Sequence, residues 1–328
     1  MSENRGEKQP SGLPEPLPAN PVVKLEEHQL RESAPLFLQQ AMERGIVENE
    51  ITGTPELFQE GDSSAVYKVV TEKGPLVIKM VTNADALQGE IDFLNAWREQ
   101  GVKTPTIELR HVPDEKLPIA IAQMEFINAP LLEKTMSNQD MVQRGISREL
   151  GRIQARMHAV TAEGFGMPYG HRKYHTFTEE VQHHILGSRS AELLKSGLVT
   201  PHDLEIAQQA VDLLEADIQA GRKPTLTHND LRPYNILASD PVTVIDPEPR
   251  ISHPYMCLGL TVLKSRIMGS DGEESEISAG YAEISPIDNK VLEAAITLKA
   301  ISKIRTWSRM GKTEWVKKAQ QMVRETQL

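Results

Sequence analysis

Thr227-His228-Asn229-Asp230-Leu231-Arg232-Pro233-Tyr234-Asn235-Ile236-Leu237, followed by Val244-Ile245-Asp246, is the stretch on which the reading of this chain turns. Asp230 and Asn235 lie on one loop, and a short hairpin can bring Asp246, at the end of its second strand, back beside that loop. Asn235 and Asp246 then aim two hard oxygen donors at one point. Such a pair suits Mg²⁺, which keeps its remaining positions for water and phosphates. Asp230 is left as a carboxylate placed to accept a hydroxyl proton. The competing reading is three unrelated polar residues in surface loops. Fixed positions in the pattern His-x-Asp-Leu-x-x-x-Asn, then an apolar strand and an Asp, weigh against it.

Working outward, the chain divides in two. Upstream, residues 55–58 read as a strand entering the turn Glu60-Gly61-Asp62-Ser63-Ser64, 65–70 alternate on leaving it, and 76–81 follow the turn Lys73-Gly74-Pro75. Leu87, Ile91, Leu94 and Trp97 share one face of a helix over 84–100 that stops at Gly101. Residues 106–112 and 119–127 read as two more strands, so an antiparallel sheet with one helix on it is expected. A short helix over 33–45 is expected before the sheet, with Ser33 as N-cap, Pro35 in the first turn, Leu36, Phe37, Leu38 and Met42 behind it, and Gly45 as its end. Residues 1–30 read as a polar, proline-broken, disordered tail. Beyond Pro130 helical patterns dominate, over 139–160, 178–195, 201–220 and several from 253 onward, around a strand–loop–strand segment at 226–245. The expected fold is α+β in two lobes: a small antiparallel-sheet lobe over 31–128 and a larger, mainly helical lobe over 129–328.

An aspartate base on a loop, with an asparagine and a second aspartate on magnesium, is the logic of phosphoryl transfer. On these residues the chain resembles the aminoglycoside phosphotransferase and choline-kinase-like family, which has the two-lobed protein-kinase-like fold. Further resemblances follow in chain order across residues 34–265. Val77-Ile78-Lys79 resembles the strand whose lysine holds the nucleotide α/β-phosphates. Glu90-Ile91-Asp92-Phe93-Leu94, with Gly101-Val102-Lys103-Thr104-Pro105, resembles the helix whose glutamate pairs that lysine. Gln123-Met124-Glu125-Phe126-Ile127 resembles the hinge strand whose backbone reads adenine, which assigns Met124, Glu125 and Ile127 to the nucleotide. Glu149-Leu150-Gly151-Arg152-Ile153 to Met157-His158, then Gly164-Phe165-Gly166, resembles a helix and exit turn common in the family. Taken singly, Lys79 and Glu90 also read as ordinary solvent-facing residues. The hydroxyls and N–H groups at Ser63 and Ser64 can cover phosphates or belong to a plain hairpin turn, since the glycine-rich kinase pattern is missing.

The resemblance implies a small-molecule kinase that uses ATP or GTP with Mg²⁺, moving the γ-phosphoryl group to a hydroxyl. An aminoglycoside-type or other amine-bearing acceptor, and with it antibiotic resistance, is the specific expectation. Asp230 is then the base, while Arg232 either neutralises the moving phosphoryl group or pairs with a neighbouring carboxylate. From 267 to 289 there are six acidic residues and no Lys or Arg, which reads either as carboxylates for a polycationic acceptor, Asp271 and Glu274 among them, or as a solvated loop. Glu248, just after the metal aspartate, is the residue favoured for a substrate ammonium. The family commonly carries two further aspartates after Asp246, and His253 and Cys257 stand at those positions. That departure motivates a rival reading, a nucleotide-binding regulatory protein without turnover. A protein kinase is disfavoured because neither Asp-Phe-Gly nor Ala-Pro-Glu occurs.

Composition agrees and excludes. Across 328 residues the net charge is −10, with a single cysteine. An acidic chain argues against a nucleic-acid face and against anionic lipid, and one thiol allows neither an internal disulfide nor a thiolate-rich zinc site. The longest uncharged stretch, 251–263, is too short to span a bilayer, so a cytoplasmic protein is expected, as monomer or dimer. Gly311-Lys312-Thr313 lacks the upstream glycine of a P-loop. His171, His175 and the pair His183-His184 read as surface or cleft histidines. The basic residues from Lys299 to Arg324 read as the outer face of a packed helix pair.

Overall fold

Five strands form the antiparallel sheet of the first lobe in the computed structural model, which describes residues 27–47, 51–58, 64–169, 173–268 and 271–328. They are β1 (Glu56–Phe58), β2 (Ser64–Thr71), β3 (Gly74–Val81), β4 (Ile107–His111) and β5 (Ala120–Glu125), in the order β1-β2-β3-β5-β4. Side chains alternate across a pleated strand, so Ile78 and Met80 of β3 face one side and Lys79 the other. The first side is covered by α1 (Glu27–Glu43), whose Leu30, Ala34, Phe37 and Leu38 pack on Ile78, Met80 and Ile121. The second is covered by α2 (Ala84–Glu99). Asn83 caps α2 by accepting the Ala86 N–H at 3.2 Å.

α1 begins at Glu27 rather than Ser33, and Pro35 sits inside it. Leu30 is fully buried, so the packed chain starts ahead of residue 31, and of the apolar residues placed behind Pro35, Phe37 and Leu38 are buried while Leu36 and Met42 are exposed. The helix expected over 139–160 is two helices, α3 (Asn138–Gln143) and α4 (Ile146–Met157), parted where Gly145 takes φ 72°. Glycine reaches that conformation without steric cost. The stretch 178–195 is likewise divided, into α5 (Phe177–Val181), a π-turn over Gln182–Leu186, and α6 (Gly187–Lys195). The turn at Glu60 to Ser63 lies outside the described residues, as does His171.

The helical lobe is built on α7 (Pro201–Gln219), α8 (Pro254–Met268), α10 (Asn289–Arg309) and α11 (Thr313–Glu325), whose apolar faces share one core. α9 (Glu273–Ala282) lies against α4 through facing glycines. A Cβ on Gly151 would stand 2.0 Å from the carbonyl oxygen of Ile277, and one on Gly280 would stand 1.9 Å from that of Arg148. Above this bundle sit β6 (Phe165–Gly166), β7 (Lys173–Tyr174), β8 (Thr225–Thr227) and β11 (Arg250–Ser252), in the order β7-β6-β11-β8, and the hairpin of β9 (Ile236–Leu237) with β10 (Thr243–Val244). A second core joins the lobes: Leu87, Leu94 and Trp97 of α2 pack with Leu150 and Ile153 of α4 and with Leu231, Ile236 and Val244 around the loop. No described helix is long and apolar enough to cross a membrane.

Candidate active site

The loop after β8 is cross-tied to the segment after β10. The Ile245 N–H donates to the Asn235 carbonyl at 3.0 Å, the Glu248 N–H to the His228 carbonyl at 3.0 Å, and His228 Nε2 to the Ile245 carbonyl at 3.1 Å. His228 is fully buried and stacks on Trp97, with ring centroids 5.8 Å apart. Burial pushes its imidazole below the usual pKa, so it stays neutral and serves as a fixed donor. Asn229 and Asp246 both take left-handed backbone conformations, φ 57° and 50°. Asn and Asp tolerate that region best among residues with a Cβ, and strained positions of this kind gather at functional sites.

Lys79 reaches this segment from the other lobe. Its Nζ donates to Glu90 Oε2 at 2.7 Å and to Asp246 Oδ1 at 2.6 Å. Glu90 lies three residues after Leu87 and four before Leu94, within the buried stripe of α2, which is why both it and Lys79 are buried. Burial opposes the charge on Lys79, but the two carboxylates outweigh it and hold the ammonium well above its ordinary pKa. Lys79 in turn holds the Asp246 carboxyl below the usual range, against the opposing effect of burial. The Asp246 side chain remains 60% exposed, so a ligand can reach it.

Asp230 accepts from Arg232 Nη2 at 2.6 Å (Oδ1) and 2.8 Å (Oδ2) and from the Tyr234 hydroxyl at 2.8 Å. Of the two readings of Arg232, the pairing with a carboxylate is the one observed here. Asn235 donates its amide NH₂ to the Asp230 carbonyl at 2.9 Å, which leaves its amide oxygen as the end for a cation. Among the described residues, no group of three His, Cys, Asp or Glu side chains could cage a metal. Asn235 and Asp246 alone fit Mg²⁺ that arrives with a nucleotide, since that ion is usually held by one or two protein oxygens together with phosphates.

At the hinge, β5 ends at Glu125, whose N–H donates to the Thr106 carbonyl at 2.9 Å, and the Ile127 carbonyl accepts the Ala129 N–H at 2.8 Å. Met124 faces the α2 side of the sheet, and Ser64 is the first residue of β2. Ser63 falls outside the described residues. Cys257 is one of the two residues that the resemblance sets at an expected aspartate position. Its buried thiol, pushed up in pKa by burial, faces the backbone N–H groups of Asn229 and His228. His253 accepts the Tyr255 N–H at 3.2 Å and donates to Asp217 at 2.9 Å. Cys257 thus faces the loop backbone, whereas His253 ties the start of α8 to α7.

The acidic run is mostly taken up inside the protein. Glu274 is held by Arg266, Glu276 by Arg148, Glu283 by Arg148 and Arg152, and Asp288 caps α10. Asp271 is exposed. Neither Asp271 nor Glu274 lines the cavity of about 360 Å³ that borders Asn229; Glu248 does.

Four cations that the sequence did not assign to the site, two of them expected on an outer basic face, come to this place. Lys264 of α8 approaches Asp230 at 3.6 Å, and its Nζ is buried without a hydrogen-bond partner. Burial and the nearby Arg232 push it down to about 7. Lys299 of α10 donates to Asn229 Oδ1 at 2.9 Å, and burial lowers it to about 8. Lys303, one turn on, and Arg250 of β11 also line the cavity. Lys299 and Lys303 thus point inward, not onto an outer basic face. On α10 a signal was present: Lys299, Ser302, Lys303 and Thr306 recur at helical spacing as a polar stripe on a largely buried helix.

Fold and site together define a protein-kinase-like catalyst of phosphoryl transfer to small molecules. The chain belongs to the phosphotransferase enzyme family known as APH, whose family model matches residues 54–249. Among solved structures it is similar to a candidate fructosamine-3-kinase from Thermobifida fusca, at 18% identity and a TM-score of 0.59, covering 86% of this chain and 98% of that one. It is also similar to an aminoglycoside phosphotransferase, APH(4)-Ia, in ternary complex with AMP-PNP and hygromycin B. There the identity is 12% and the TM-score 0.61, over 86% of this chain and 96% of that one. A spectinomycin phosphotransferase, APH(9)-Ia, bound to ADP and spectinomycin, matches at 14% identity and a TM-score of 0.53, over 88% and 97%. At these identities the likeness is one of fold. Among curated proteins no sequence matches significantly.

Proposed function

We propose that the protein moves the γ-phosphoryl group of Mg²⁺-bound ATP or GTP to a hydroxyl of a small molecule. The observation that supports this most directly is the buried Lys79 bridging Glu90 and Asp246 beside the loop that carries Asp230. Lys79, aligned by Glu90, orients the phosphates, and the main chain at Glu125 to Ile127 borders the base. Asn235 and Asp246 would hold the magnesium, which neutralises phosphate charge when bound. Asp230 takes the proton of the acceptor hydroxyl as its oxygen bonds to the γ-phosphorus and the β–γ bridging oxygen leaves with the nucleoside diphosphate. Positioning and charge neutralisation carry most of such a reaction. An amine-bearing acceptor draws support from Glu248 alone, since Asp271 and Glu274 lie away from the cavity.

Asp230→Asn tests the reading. Nucleoside diphosphate release is expected to fall about 10²–10⁴-fold, the usual share of a positioned base, while binding of the Mg²⁺-nucleotide changes only a few-fold. A wild-type protein that binds no Mg²⁺-nucleotide, or an Asp230→Asn variant as active as wild type, refutes it.

A further inference from the structure

We propose that the acceptor carries an anionic group, a phosphate or a carboxylate, in addition to the hydroxyl that receives the phosphoryl group. This rests on the phosphotransfer reading above and names the class of its second substrate. The cavity of about 360 Å³ beside Asn229 is of a size to hold a small metabolite. One wall is a stripe of α10, where Lys299, Ser302, Lys303 and Thr306 recur at helical spacing; Arg250 lies across from it. Its carboxylates are Glu180 and Glu248. Glu180 is taken by Arg250 at 3.2 Å and by the Ser252 hydroxyl at 2.9 Å, which leaves Glu248 as the one unpaired anion.

Among the described residues Lys303 forms no ion pair or side-chain hydrogen bond, yet it lies within electrostatic reach of Asp230, Glu248 and Arg232. It therefore stands between the cavity and the base. Lys264 approaches the same Asp230 from α8. Burying several ammonium groups around one cavity is costly unless counter-charge arrives. A phosphate or carboxylate supplies that charge, whereas a polyamine would add to the repulsion. The acidic run that suggested a polycationic acceptor is held in ion pairs elsewhere on the helical lobe. The geometry thus orients an acceptor with its anion on Lys303, Lys299 and Arg250 and its hydroxyl toward Asp230.

The test uses the full chain with Mg²⁺ and ATP or GTP and matched probes: glycerol and glycerol 3-phosphate, glucose, glucose 6-phosphate and gluconate, with hygromycin B as the polycation. Nucleoside diphosphate release and a gain of one phosphoryl group by mass spectrometry are read together. Turnover is expected with anionic members of the pairs, and inorganic phosphate is expected to compete with the acceptor but not with the nucleotide. Lys303→Gln should raise KM for the anionic probe about tenfold or more, as expected for one charge-assisted contact, with a smaller effect on the nucleotide KM. Lys303→Arg should restore most of it, and thermal melting checks that both variants fold. Preference for uncharged or polycationic probes, absence of phosphate competition, or a Lys303→Gln variant with unchanged acceptor KM overturns the proposal. If nucleotide binding and Asp230-dependent hydrolysis persist in those cases, the phosphotransfer reading stands and only the acceptor class fails. Absence of Mg²⁺-nucleotide binding removes both.

Discussion

Glu90→Gln keeps the size and shape of a buried side chain and removes only its charge. In the native protein the Lys79 ammonium is shared between Glu90 at 2.7 Å and Asp246 at 2.6 Å, with the side chains of Lys79 and Glu90 only 7% and 6% exposed. Severing a buried ion pair entirely costs about 3–5 kcal/mol. That is an upper bound here, because Asp246 still neutralises the lysine. The loss is then closer to one charge-assisted hydrogen bond, about 1.5–3 kcal/mol. Part of it appears as stability. The rest appears in nucleotide affinity, because Lys79, no longer divided between two carboxylates, pairs with Asp246 alone. A Mg²⁺-nucleotide must then pull Lys79 and Asp246 apart before either can serve it. The expected outcome is a rise of about three- to tenfold in Kd for the Mg²⁺-nucleotide, about 0.7–1.4 kcal/mol, together with a lower urea midpoint. Titration with a fluorescent nucleotide analogue and equilibrium urea unfolding measure the two effects. A Kd within about twofold of wild type and an unshifted midpoint would refute the assignment of Glu90 as the residue that aligns Lys79.

Three other perturbations have defined outcomes. Lys264 is held near pKa 7 in the folded protein against an ordinary value of about 10.4. Below pH 7 it is charged in both states and the fold bears the full cost of its burial; from about pH 7 to 10 the folded state releases the proton first, so stability rises with pH. Lys264→Met should therefore raise the urea midpoint most at pH 6.5, with the gain shrinking toward pH 10, and a gain independent of pH would contradict this account. Gly151→Ala places a Cβ 2.0 Å from a backbone oxygen of α9 and should cost about 3 kcal/mol in urea unfolding, near the upper end for overpacking; an unchanged midpoint would show that α4 and α9 can move apart. Cys257→Ala leaves the His228 and Asn229 N–H groups without the thiol they face and should lower kcat about tenfold, from the cost of unsatisfied buried donors, more than it alters nucleotide Kd. Cys257→Asp should retain activity, and equal loss in both variants would argue that the site needs a thiol.

Much of the candidate site was legible because it is local. Asp230, Asn235 and Asp246 occupy one loop and the hairpin that follows it, so a few backbone hydrogen bonds bring them together. Lys79 and Glu90 were legible as a pair only through the resemblance, since each taken singly reads as solvent-facing, and it is the packing of α2 on β3 that buries them together. Gly145, by contrast, split a helix that periodicity read as continuous, because its left-handed φ outweighed the apolar pattern on either side. The acidic run misled for a different reason. Charge on a sequence carries no record of its partner, and Arg148, Arg152 and Arg266, which pair with it, lie on helices distant in the chain or a turn away.

By itself, then, the sequence determined the two-lobed fold and singled out the residues that meet around the loop, since periodicity and short-range loop geometry are local properties of the chain. Only the tertiary structure decided the character of the acceptor cavity. Lys299, Lys303 and Arg250, which line it, come from α10 and β11, and Lys264, beside Asp230, comes from α8. Helix packing alone turns their charges inward, onto a loop up to 70 residues away in sequence.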